Sequence, residues 1–178
     1  MFFSRILPTM LIPNLSPANN KCEKKSFGVV LYDGSGISIN GLLGIKETSS
    51  LDPFFFVTGH GALDISRRYA RRLNARLAYL TSFGDAVRLF SELSFSVSEN
   101  LFGAYASFSS GTPSYLSTLS AKNRTFLLEM KRCDIPQGIF MPYSDGEKIK
   151  KTGASPSDFH IAVKKLRADF GAKLSRYL

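Results

Sequence analysis

Histidine and cysteine are scarce in this 178-residue chain, with two of each. Cys22 and Cys133 lie far apart, and neither has a Cys or His neighbour at metal-ligand spacing. That excludes a local zinc motif and gives no sign of a disulfide framework, so the two thiols read as those of a reducing compartment. His60 and His160 carry no nucleophile or carboxylate at any motif spacing, so no catalytic residue is assigned. No apolar run approaches the roughly 20 residues of a membrane-spanning helix. The longest, such as Phe54-Phe55-Phe56-Val57, are strand-sized. No P-loop or strand-to-helix dinucleotide fingerprint is present either. Two Gly-containing segments, Asp33-Gly34-Ser35-Gly36 and Thr58-Gly59-His60-Gly61, have backbone donors suited to a phosphate, but turn chemistry explains both. The expectation is of no cofactor, no metal and no small-molecule substrate.

Acidic residues are also few: Lys and Arg outnumber Asp and Glu by 23 to 14, for a net charge of +9. Such an imbalance favours a polyanionic partner, since each phosphate contact releases condensed counterions. What the chain has in quantity is aromatic bulk, with 15 Phe and 7 Tyr, enough to fill one core. The first acid is Glu23, and the preceding 22 residues contain Arg5 with Pro8, Pro13 and Pro17. This acid-poor stretch reads as an extended arm or an organelle-targeting segment, the latter implying a mitochondrial location and otherwise a cytoplasmic one. Residues 23–178 are expected to form a single domain.

Within that domain, Phe27 to Tyr32 has strand character, and Asp33-Gly34-Ser35-Gly36 supplies a tight turn. Ile37, Ile39 and Leu42 suggest a returning strand, completing a hairpin. The apolar run Phe54 to Val57 suits a strand buried on both faces. A helix follows from Asp64, with Ile65, Tyr69 and Leu73 on one side and arginines on the others. It is expected to stop near Ala75, leaving Leu77 to Phe83 as a strand and a second helix from Gly84-Asp85. From Ser91 to Ser120, ten of thirty residues are Ser, which suggests short strands and loops. Arg124 to Met130 reads as another strand. Ser155-Pro156-Ser157-Asp158 caps a final amphipathic helix carrying Phe159, Val163 and Leu166. The element order predicts an α+β fold: a two-layer sandwich of a mostly antiparallel sheet with helices and a long C-terminal amphipathic helix.

Arg67, Arg68, Arg71 and Arg72, with Arg76 nearby, make the most informative segment. Guanidiniums this close repel one another, and Arg forks phosphate oxygens bidentately, so these five are the candidate nucleic-acid contacts. Lys148, Lys150, Lys151 and the last helix are candidate extensions of that surface. Val57-Thr58-Gly59, Arg67-Arg68, Ala75-Arg76, Leu80 and Phe83 resemble, in the same order, a stretch of bacterial-type small-subunit ribosomal protein eighteen. That resemblance implies a helix seated on ribosomal RNA. Ala70-Arg71-Arg72-Leu73-Asn74, the strand from Leu77 and the helix from Asp85 are also similar to small proteasome-assembly chaperones. That second resemblance implies hairpin strands ahead of the helix and a protein-binding role. The leading expectation is a non-enzymatic, RNA-contacting structural subunit of an organellar ribonucleoprotein, the mitochondrial ribosome above all, with RNA and neighbouring protein subunits as partners. A protein-binding assembly factor and a viral RNA-binding or coat-type protein are the alternatives.

Overall fold

The computed structural model describes residues 25–146, 149 and 154–174. Its elements run β1 (Ser26–Val30), α1 (Ile39–Ser49), β2 (Asp52–Val57), a 3-10 turn (His60–Ala62), α2 (Leu63–Arg72) and β3 (Arg76–Tyr79). They continue as α3 (Phe83–Phe90), β4 (Ser96–Ser98), α4 (Leu101–Ser109), β5 (Ser114–Ser117), α5 (Ala121–Arg132), β6 (Phe140–Tyr143) and α6 (Pro156–Leu174). The six strands form one sheet in the order β3-β2-β1-β4-β5-β6. Every pairing is parallel.

The expected two-layer α+β sandwich with a mostly antiparallel sheet is therefore incorrect. The chain is a doubly wound α/β fold in the Rossmann strand order. Strand composition shows why: all five residues of β1 are buried, as both faces of a parallel sheet must be. On one face Phe27, Val29, Leu31, Phe55, Val97 and Tyr115 pack under Leu42 and Ile45 of α1 and under Ala70 of α2 and the following Leu73. On the other, Val30 and Phe56 pack under Ala86 and Phe90 of α3 and Ala106 of α4. Phe56 and Phe90 are fully buried with ring centroids 4.8 Å apart, each burial contributing about 1.5–3 kcal/mol.

The expected hairpin after Tyr32 is also corrected. Ile39 and Leu42 lie in α1, which opens at Ser38, whose side-chain oxygen accepts from the Gly41 N–H at 3.0 Å. Two apolar residues in alternation, Ile37 and Ile39, are too short a pattern to tell a strand from a helix entry. Arg124 to Met130 is likewise helical, in α5, where Asn123 and Phe126 are buried at helical spacing. The Ser-rich stretch does hold short strands, β4 and β5, but the nine-residue α4 lies between them. Ser96, Ser98 and Ser114 keep their strands narrow beneath that helix. The buried Ser96 hydroxyl joins those of Ser107 and Ser114. Gly103 sits so close that a Cβ there would lie 2.4 Å from Ser98 Oγ and 2.9 Å from Val30 Cγ2.

Candidate functional site

In an open doubly wound sheet, ligands seat outside the carboxyl ends of the strands, where the winding reverses. Here that point lies between β1 and β4, under the loop from Leu31 to Ser38. This loop wraps a carboxylate from its own chain. Glu99, immediately after β4, accepts through Oε2 from the backbone N–H groups of Tyr32, Asp33 and Gly34 at 2.6, 3.1 and 3.0 Å. Its Oε1 accepts from the Gly36 N–H at 3.0 Å. Glu99 is 8% exposed, and its own N–H donates to the Val30 carbonyl at 2.9 Å, closing β4 onto β1. The buried Asn123 amide donates to the carbonyls of Glu99 and Ser117 at 2.8 and 2.9 Å, fixing the base of the seat. Farther along, Asp145 accepts from the Ser38 N–H at 3.1 Å and from the Tyr143 hydroxyl at 2.9 Å. Tyr32 and Asp33 are exposed at the loop's tip. The Ser35 hydroxyl and N–H hold the Asp33 carboxyl below the usual carboxylate range, so it is ionised at neutral pH.

The same loop touches α2. Gly34 has φ +74°, and a Cβ there would lie 2.8 Å from Ile65 Cγ1, so both its conformation and its close approach require glycine. On α2 the apolar side, with Ala70 and the following Leu73, is buried, while Arg67, Arg68, Arg71 and Arg72 are exposed. These four and Asp64 line one open depression along the helix. Among the described residues the ion pairs are Lys46 with Asp52 and Lys165 with Asp134, and none involves an arginine of α2. Arg67 donates to the Tyr79 hydroxyl at 2.7 Å, and the Arg68 guanidinium lies 5.9 Å from the centroid of the neighbouring Tyr69 ring. This arginine ridge reaches the β3 edge through Arg67.

Of the five candidate arginines, the structure brings four together and separates Arg76. Arg76 begins β3, stacks its guanidinium 4.3 Å from the Phe54 ring centroid and donates to Ser26 Oγ at 3.2 Å. The last helix does not extend the ridge. α6 packs Phe159 and Ala162 against Phe108 and Ile139, beside the β6 edge, whereas α2 flanks β2 and β3. Five strand spacings of about 4.8 Å separate the two edges, some 24 Å in all. Lys165 is moreover engaged by the carboxylate and carbonyl of Asp134. Lys148, Lys150 and Lys151 lie outside the described residues, as do Cys22 and the amino-terminal arm.

His60 is exposed in the 3-10 turn and His160 in the first turn of α6. Cys133 is half-buried with Sγ 3.7 Å from Asp169 Oδ2. Among the described residues no three His, Cys, Asp or Glu side chains converge as metal ligands, and no helix is long and apolar enough to cross a membrane. Sequence reasoning found the Asp33–Gly36 segment as an anion-suited turn but not its occupant. Glu99 has no local signature and meets the loop only through the parallel sheet.

The expectation of an organellar ribosomal subunit is overturned by this architecture, which is Rossmann-like. The segment likened to a ribosomal RNA-binding helix is the crossover between β2 and β3 of a Rossmann-like sheet. The hairpin strands implied by the chaperone resemblance are replaced by the parallel unit β1–α1–β2. No family model matches the chain, and no curated protein matches it. Among solved structures it is similar to the glycosyltransferase SnogD from Streptomyces nogalater, at 16% identity and a TM-score of 0.41. That similarity covers 93% of this chain, which spans 47% of the length of SnogD.

Proposed function

We propose that this chain is an anion-binding α/β domain that grips a compact ligand bearing two or more phosphate groups. The contacts are Arg67, Arg68, Arg71 and Arg72 on the exposed face of α2. The observation that carries the reading is that these four guanidiniums share one face with no ion pair among the described residues. Like charges at i,i+4 positions destabilise a helix by about 0.2–0.5 kcal/mol per pair, and here the pairs are Arg67–Arg71 and Arg68–Arg72. A bound polyanion reverses that cost, because each Arg fork engages phosphate oxygens in charge-assisted pairs. Residues one helical turn apart lie about 5–6 Å apart at Cβ, a spacing that suits neighbouring phosphates of a small ligand. The separation of α2 from α6 weighs against a long nucleic-acid track across the sheet.

Isothermal titration of the wild-type protein with inorganic pyrophosphate tests this reading. Binding is expected to weaken log-linearly with salt and to fall about tenfold or more in the Arg68→Gln/Arg72→Gln double variant. The unliganded variant should melt no lower than wild type, since the Arg68–Arg72 repulsion is gone. Undetectable pyrophosphate binding, or binding that the double variant retains, overturns the proposal. Tight capture of single-stranded RNA without any response to pyrophosphate also overturns it.

A further inference from the structure

The Glu99 carboxylate sits where a doubly wound fold most readily receives an anion: at the winding reversal, in a concave run of backbone N–H groups. Four such groups converge on it, from Tyr32, Asp33, Gly34 and Gly36, at 2.6 to 3.1 Å. Both carboxylate oxygens are engaged. We propose that this loop is an oxyanion seat whose resident anion is the chain's own Glu99. Glu99 thereby excludes external phosphates and carboxylates from the winding reversal. The inference does not depend on the α2 reading, because it concerns different donors and a different occupant.

The Gly36 bond to Glu99 is buried and those of Tyr32, Asp33 and Gly34 are part-buried; such N–H groups need an acceptor, and charge-assisted bonds are the strongest available to them. A chain that removes Glu99 without replacing its oxygens orphans these donors at the top of the core. Any small oxyanion that fits the vacated space then recovers the same bonds. In Glu99→Ala the missing heavy atoms are those of acetate, so acetate is the natural replacement. In wild type the seat is already filled, so acetate has nothing to gain there.

Thermal melting and amide NMR of full-length Glu99→Ala, with sodium acetate against sodium chloride at equal ionic strength, test the inference. The variant should melt below wild type, and acetate should restore at least half of the loss. Acetate should also shift the Tyr32, Gly34 and Gly36 amides, while the wild-type amides stay still. A variant that acetate stabilises no more than chloride does would overturn the proposal, as would wild-type acetate binding at those same amides. Should Glu99→Ala not fold, Glu99→Gln provides the second arm, because its amide keeps a single acceptor oxygen. Amide exchange at Gly34 and Gly36 should then quicken tenfold or more while Val29 is unchanged, and unchanged exchange at the two glycines overturns the inference. Pyrophosphate binding that survives in either Glu99 variant but fails in Arg68→Gln/Arg72→Gln separates the two proposals.

Discussion

Arg76 stands opposite Phe54 in the register of β2 and β3 and lays its guanidinium 4.3 Å from the Phe54 ring centroid. Its Nη2 also donates to Ser26 Oγ on β1, so one side chain spans three neighbouring strands at their amino ends. An arginine so engaged braces the open β3 edge. Arg76→Ala is predicted to cost about 1 kcal/mol of unfolding free energy, through the lost cation–π contact and stem packing. Urea denaturation measures that loss, and pyrophosphate affinity should be unchanged in the same variant.

Two helical glycines give opposite predictions. A Cβ at Gly103 would meet Ser98 Oγ and Val30 Cγ2 within 3 Å, whereas at Gly44 it meets nothing within 4 Å. Gly103→Ala should therefore destabilise by about 1–3 kcal/mol through overpacking of α4 on β1 and β4. Gly44→Ala, inside α1, should stabilise by about 0.5–1 kcal/mol, the helix-propensity difference. Chemical denaturation of the two variants beside wild type decides both signs.

Two helix caps contribute to the acid limb of stability. The hydroxyls of Ser82 and then Thr81 hold the Asp85 carboxyl below its ordinary value of 3.8. The Ser155 N–H and then its hydroxyl do the same for Asp158. Each depressed carboxyl adds stability that is fully present above about pH 4 and is lost as pH falls through the folded-state value. Asp85→Asn and Asp158→Asn should each flatten the fall in melting temperature below that pH. Melting curves between neutral pH and pH 3 check this, and an unchanged acid limb counts against the caps.

Features carried by local chemistry were legible in the sequence. The Phe54–Val57 strand, the amphipathic α2 and the capped α6 all stand where apolar spacing puts them, although α2 opens at Leu63 without a side-chain cap and Asp64 lies within its first turn. The stop before Ala75 is real, with Asn74 in the left-handed region at φ +48°. What failed were two helices whose residues display no clear helical period, and the pairing of the strands. α4 has seven buried residues of nine, so it has no polar face to betray a helical period. α5 shows Phe126-Leu127-Leu128 in succession, a strand-like run, yet Leu128 is 58% exposed and Phe126 is fully packed. Parallel pairing is not legible while α1 reads as a strand returning on β1, because no crossover helix then stands between β1 and β2. At the site, the arginines announced themselves by density. Glu99 lies 63 to 67 residues from the loop it holds, and no local pattern encodes that distance.

The most direct test of the α2 reading is an amide NMR titration of the wild-type protein with inorganic pyrophosphate. The predicted result is a set of shifts confined to Asp64 through Leu73 and the flanking Tyr79, with Tyr32, Gly34, Gly36 and the residues of α6 unmoved. Shifts centred on the β1 loop or on α6, with α2 silent, would contradict it.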